Sequence, residues 1–171
     1  MIQDYSPVYI DTTSDLIEVV KTIICPFIGQ ELKESWIGWM DEDDCWWEDM
    51  PIILQIGNER LEICWNQFQD VSITKNQIPV DGSAHFTMED ASIKKNAHKV
   101  LNKFMGKTIT AIEVGETTMS MGDSGLVWIP NSINFIFGED FLSIYNGLDE
   151  NQVSDERPSE AISRSYPICP M

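Results

Sequence analysis

Two stretches of the chain carry the same spacing of apolar residues. Leu16 to Leu32 reads LIEVVKTIICPFIGQEL, and Ile93 to Ile109, 77 positions on, reads IKKNAHKVLNKFMGKTI. Leu16, Val20, Ile23, Ile24, Phe27, Ile28 and Leu32 match Ile93, Ala97, Val100, Leu101, Phe104, Met105 and Ile109, and a glycine follows each run at Gly29 and Gly106. In the second copy Ile93, Ala97, Val100, Leu101 and Phe104 recur at helical spacing and predict one face of an α-helix. Lys94, Lys95, Lys99, Asn102 and Lys103 fall on its other side, with Asp90 or Ser92 as cap and Gly106 as the left-handed stop. The first copy predicts a weaker helix, because six of its residues before Pro26 (Ile17, Val19, Val20, Thr22, Ile23 and Ile24) are β-branched and that proline must end or kink it.

Strand patterns follow each glycine. Lys33 to Met40 (KESWIGWM) and Thr108 to Val114 (TITAIEV) read as strands. A polar loop comes next, then a hairpin: Ile52 to Trp65, turning at Gly57-Asn58, and Ile133 to Tyr145, turning at Gly138-Glu139-Asp140. Asn66 and Asn146 close the two hairpins. The unit is helix, glycine, strand, loop, hairpin, and it occurs over residues 14–66 and 91–146. The expected fold is a single α+β domain over residues 1–171, mainly antiparallel β-sheet with two helices, built from two pseudo-symmetric helix–strand–hairpin repeats. Outside the repeats, Pro7 to Ile10, Val71 to Ile73 and Ala161 to Ile168 are candidate strands, and residues 150–160 read as a mobile polar segment.

Composition narrows the function. A chain of 171 residues can bury a core without covalent staples. The expectation is a cytoplasmic protein: no basic-then-apolar leader opens the sequence, and no apolar run reaches the length of a membrane span. The four cysteines, Cys25, Cys45, Cys64 and Cys169, include no C-x-x-C pair, and Cys25 and Cys64 read as buried apolar residues. Disulfides are possible by count but not required. With 28 acidic against 11 basic residues the net charge is −17. That excludes phosphate-backbone recognition of nucleic acid and attraction to anionic membranes, and permits a basic protein partner.

Trp36 to Asp49, WIGWMDEDDCWWED, stands apart, with four tryptophans and six acids in fourteen residues. It lacks the spacing of an EF-hand, so neither a metal nor a cofactor is expected. The acids can be a solvated turn between two strands, with Trp36, Trp39 and some of Trp46 and Trp47 in the core. Alternatively, Asp41, Glu42, Asp43, Asp44, Trp46 and Trp47 form a partner-binding patch, since aromatic residues are enriched at interface centres.

The remaining candidates for chemistry are weak. His85 is a lone loop histidine, and His98 falls on the polar flank of the predicted second helix. The lysines from Lys94 to Lys107 offset intramolecular acids or bind an anion. Gly115 to Gly125, GETTMSMGDSG, reads as a flexible loop. Its GDSG is similar to the segment around the nucleophile of trypsin-like proteases, but no histidine and aspartate set accompanies it. No catalytic residues are assigned.

WNQFQDVSIT (Trp65 to Thr74) and FLSIYNGLDEN (Phe141 to Asn151) resemble segments of small bacterial proteins, some of which look like immunity partners of polymorphic or contact-dependent toxins. The resemblance implies a cytosolic bacterial protein that binds another protein, and brings no catalytic residues. The expected function is therefore a non-catalytic binding protein of the immunity type, directed at a basic toxin. The alternative is a small-ligand binder with a tryptophan-lined pocket between the repeats. A third reading is an enzyme whose carboxylate pair assembles only in space.

Overall fold

The computed structural model describes residues 2–67, 69–88, 90–120, 125–159 and 162–170. Its described strands form two antiparallel sheets. The first contains β1 (Tyr9–Ile10), β2 (Leu32–Met40), β3 (Cys45–Trp46), β4 (Ile52–Ile56), β5 (Glu59–Asn66), β6 (Asp70–Lys75) and β7 (Ala91–Lys95). The second contains β8 (Ala111–Ser120), β9 (Leu126–Phe137), β10 (Asp140–Asn146), β11 (Asn151–Ser154) and β12 (Ser163–Pro170). The α+β class expected from the sequence is the one observed.

Each sheet contains a four-stranded meander whose first strand is also paired by a strand from later in the chain. In the first, β2, β4, β5 and β6 follow one another, and β7 pairs with β2. Trp36 faces both Ile53 and Lys95, so β4 and β7 lie on opposite edges of β2. In the second, β8 to β11 follow in order and β12 pairs with β8. Both tight hairpins turn on a glycine with positive φ, Gly57 at 58° and Gly138 at 69°. Ile56 pairs with Glu59 and Phe137 with Asp140, so both loops have two residues. The second turn thus excludes Asp140, which is already in the ladder.

One hydrophobic cluster draws on both sheets and on the first helix. Leu54, Ile63 and Trp65 of the first sheet pack in it with Val114, Phe135 and Ile144 of the second. The helix supplies Leu16, Val20, Ile24 and Phe27. It begins as α1 (Thr13–Val19), widens to a π-turn over Val20–Ile24 and tightens to a 3₁₀ turn over Cys25–Phe27, which has Pro26 in its first turn. The β-branched run and the proline predicted this irregular end. A second cluster, with Ile2, Tyr5, Trp36, Met50, Ile53 and Ile78, covers the other face of the first sheet.

The predicted second helix is largely absent. Ile93 to Lys95 belong to β7, Asn96 turns the chain with φ 49°, and only α2 (Lys99–Asn102) is helical. The free edge of β2 explains this: its backbone groups from Trp36 to Met40 need partners, and β7 supplies them. Tertiary pairing overrides a pattern that local periodicity assigns to helix.

The two glycine segments meet. Gly29 N–H donates to the Ile109 carbonyl at 2.9 Å and Gly106 N–H to that of Leu32 at 2.8 Å. Ile109 N–H donates to Gln30 and Leu32 N–H to Lys107, both at 3.0 Å, around a bridge between Glu31 and Thr108. Positions 29 and 106, 30 and 107, 31 and 108, and 32 and 109 are each 77 apart, so each bond has its counterpart with the two segments interchanged, about the equal-rank pair Glu31 and Thr108. The exchange is confined to this junction. It does not establish the repeat as a whole, whose second helix is a single turn.

Three further expectations change. Cys25 is bonded to Cys169, with Cα atoms 6.0 Å apart, and is not a free apolar residue. Residues 151–154, expected in a mobile polar segment, form the strand β11. Gly115 to Ser120, expected in a loop, extend β8 against β9, while residues 121–124, with most of the GDSG motif, lie outside the described residues.

Candidate functional site

Asp41, Glu42, Asp43 and Asp44 form the exposed tip between β2 and β3, where Met40 pairs with Cys45. Asp44 closes the turn in the left-handed region, φ 49°, which aspartate tolerates better than most residues. Its carboxylate accepts from Trp39 Nε1 at 3.1 Å and from Lys94 Nζ at 3.2 Å, and both bonds hold its pKa below the ordinary value. Lys94 also lies 4.0 Å from the centre of the Trp39 ring. Asp41 accepts from Ser92 Oγ at 2.9 Å, which ties the tip to β7.

The two tryptophans beyond the tip are not brought together with the acids as one patch. Strand alternation sends them to opposite faces. Trp46 packs on the main cluster and meets the His98 ring edge-on, with centroids 4.8 Å apart. His98 is the cap of α2, accepting from Leu101 N–H at 3.4 Å, and burial lowers its pKa; the sequence placed it in solvent. Trp47 packs on the second cluster, its indole N–H donating to Asp49 at 3.3 Å. Gly38 makes room here: a β-carbon at that position would collide with Met50, and its carbonyl accepts from Trp47 N–H at 3.0 Å.

Trp47 instead lines a cavity of about 390 Å³ where the two sheets adjoin. Tyr5, Tyr9 and Trp65 are its other aromatic residues, and Asp49 and Asp149 its carboxylates. Asp149 comes from the β10–β11 turn of the second sheet, the others from the first sheet and the lead-in. Burial pushes the Tyr5 hydroxyl up to about 12 and raises that of Tyr9, so both remain neutral phenols. Cys64, also in the wall, is pushed up to about 11, mainly by burial, so it is an unreactive thiol. Sequence reasoning named Trp47 but missed Tyr5, Tyr9, Asp49 and Asp149, which are separated in the chain and carry no local motif.

A larger cavity, about 650 Å³, is lined by Ser132, Ser143, Tyr145 and Arg157 among others. Arg157 is already held by Glu113, at 2.9 Å, and covers the Phe141 ring. The charged groups buried in the sheets likewise have internal partners. Glu62 accepts from Thr74 at 2.7 Å and from the backbone of Gln77 and Ile78 at 2.9 and 3.2 Å. Glu116 accepts from Thr13, Arg164 and Tyr166.

The lysines grouped on one predicted helix face are dispersed. Lys94 pairs with Asp44, Lys95 with Glu34, Lys103 with Asp155 and Lys107 with Asp140. They offset the chain's own acids, the first of the two roles expected for them. Among the described residues no group of three or more histidines, cysteines and carboxylates is placed to share a metal ion. Likewise, no described helix is long and apolar enough to cross a membrane.

Comparison with protein-family models, with curated proteins and with solved structures found no match to this chain.

Proposed function

We propose that this protein is a non-catalytic binding protein whose acidic hairpin tip engages a basic protein partner, in the manner of an immunity-type inhibitor. The observation that carries this reading is the tip itself. Four successive carboxylates, Asp41 to Asp44, stand exposed on a short turn, and Lys94 alone forms a salt bridge with one of them among the described residues. Coulomb steering by such a tip, within a chain of net charge −17, raises the encounter rate with a cationic surface. The pairing of Trp39 and Lys94 with Asp44 holds the tip in shape before any partner arrives, which lowers the ordering cost of binding.

The test is affinity capture from the cells of origin with the native protein and with an Asp41→Asn, Glu42→Gln, Asp43→Asn, Asp44→Asn variant. A basic protein that is retained by the native protein, elutes at moderate salt and is lost with the variant supports the reading. Equal retention by both removes the tip from it.

A second reading has its own support. A cavity lined by Trp47 and Trp65 supports a small-ligand binder, though its described lining takes nothing from the second repeat (91–146) and only Asp149, in the β10–β11 turn, from beyond it; its volume lies within the range of such sites.

A further inference from the structure

The second sheet is apolar on one face and polar on the other. Ile133 and Ile144 pack in the main cluster, so their chain neighbours Ser132, Ser143 and Tyr145 project from the opposite face. The ladder groups them: Ser132 pairs with Tyr145, and Ser143 is the preceding residue of β10 on that face. Serines on a solvated sheet face are ordinary, but Ser132 and Ser143 are only 6% and 4% exposed. Both line the cavity of about 650 Å³, together with residues 156–158 and 162–163. That later segment is fixed to the sheet, Arg157 by Glu113 at 2.9 Å and the Ile162 carbonyl by Thr117 Oγ1 at 3.0 Å. The hydroxyls of Ser132, Ser143 and Tyr145 have no hydrogen-bond partner among the described residues, and the two serine oxygens stay open to the cavity. Gly115, across the ladder from Ser132, leaves the room that the Ser132 hydroxyl needs: a β-carbon there would lie 2.1 Å from it.

We propose that this cavity binds a neutral saccharide. The site is separate from the acidic tip and from the tryptophan-lined cavity, and depends on neither reading above. A pyranose ring carries hydroxyls around its edge and C–H groups on its faces, and the lining suits both. Ser132 and Ser143 each offer one donor and two acceptor positions to ligand hydroxyls, and Thr118 adds another such group. Tyr145, Ile129 and Pro158 give the C–H face an aromatic and apolar surface. Arg157 is engaged by both oxygens of Glu113, at 2.9 and 3.3 Å. Glu156, the other charged residue of the described lining, is exposed; its carboxylate accepts from a hydroxyl and repels an anion. A wholly apolar ligand would cut the two buried serine hydroxyls off from water without replacing their hydrogen bonds, which disfavours it. The volume lies within the range of small-ligand sites.

The experiment follows the backbone amide signals of the isotope-labelled full chain by NMR during titration with sugars. The probes are glucose, maltose, cellobiose, lactose and N,N′-diacetylchitobiose, with tetrahydropyran as the ring that lacks hydroxyls. The hydroxyl test is a Ser132→Ala, Ser143→Ala double variant, which removes both groups without adding volume; an unchanged spectrum away from the cavity shows that its fold is retained. Should that variant lose its native spectrum, Tyr145→Leu, at a half-buried position, carries the same prediction. The expected result is saturable shifts at the cavity residues of β9 and β10 with at least one sugar, weakened tenfold or more in the variant, and no saturation by tetrahydropyran. Glucose binding as tightly as the disaccharides would support the site and point to a free sugar, whereas binding of disaccharides alone would support it and point to a polysaccharide or glycan. Tetrahydropyran binding as tightly as the sugars, or sugar binding unchanged in the variant, would overturn recognition through these hydroxyls. Saturation by none of the sugars would overturn the cavity as a saccharide site.

Discussion

The side chain of Asn151 accepts a hydrogen bond from the backbone N–H of Trp65 at 2.9 Å, across 86 positions of sequence. β4 stops pairing with β5 at Ile63, so the edge of Trp65 has no ladder partner there, and Asn151 provides one. The asparagine amide donates in turn to the carbonyls of Glu48 and Met50 at 2.8 and 3.1 Å. One fully buried side chain thus joins the second sheet to the first and sets the segment that carries Trp47 and Asp49. Asn151→Ala leaves buried backbone groups without partners and should cost about 3 kcal/mol. Urea unfolding followed by tryptophan fluorescence should show a lower midpoint with an unchanged slope.

The two buried glutamates should respond to pH with opposite signs. Burial raises the pKa of Glu62, and its neutral donors do not fully offset that. Its contribution to stability is therefore full below the ordinary value of 4.5 and is lost as pH rises through the raised folded value. Glu62→Gln should gain on the native protein as pH rises from 4.5. At Glu116 burial also pulls upward, but bonds from Thr13, Arg164 and Tyr166 and the Arg164 charge outweigh it. Its contribution is present above 4.5 and is lost as pH falls through the depressed folded value. Glu116→Gln should lose on the native protein as pH rises toward 4.5. Stability curves for both variants from pH 3 to 8 check the two signs.

The Cys25–Cys169 bond closes a span of 144 residues, from the 3₁₀ turn after the first helix to the last strand. Loop-closure entropy assigns such a link about 5 kcal/mol at most. Intact-mass measurement before and after reduction under denaturing conditions should show the bond, and Cys169→Ser should lower the unfolding midpoint markedly. Oxidising compartments favour such a bond, so a cytosolic location is best tested by fractionating the source cells.

Gly38→Ala should destabilise by about 1–3 kcal/mol through overpacking against Met50. It should also shift the Trp47 indole signal, because Trp47 is bonded to the same backbone position. A shift without destabilisation would mean that Met50 yields freely.

What could be read from the residues depended on how local the determinants were. β2 and both hairpins were legible, because alternation and a glycine turn are encoded within a few positions. Gly29 and Gly106 were legible as left-handed stops, with φ 82° and 80°. The strand at Ala91–Lys95 was not, because its cause is the edge of β2, over fifty residues earlier. Asn151 sat in a run of turn-forming residues, and nothing nearby marks its bond to Trp65. At the site, the acidic tip was legible as a charge run, whereas the cavity draws Tyr5, Trp47 and Asp149 from three separate segments.

The most direct measurement is the capture experiment with the acidic tip intact and neutralised, read by mass spectrometry across a salt gradient. The account predicts one basic protein in stoichiometric amount, eluting at moderate salt and absent with the neutralised tip. Stoichiometric capture that is unchanged by neutralisation, or no stoichiometric partner with the native protein, would contradict it.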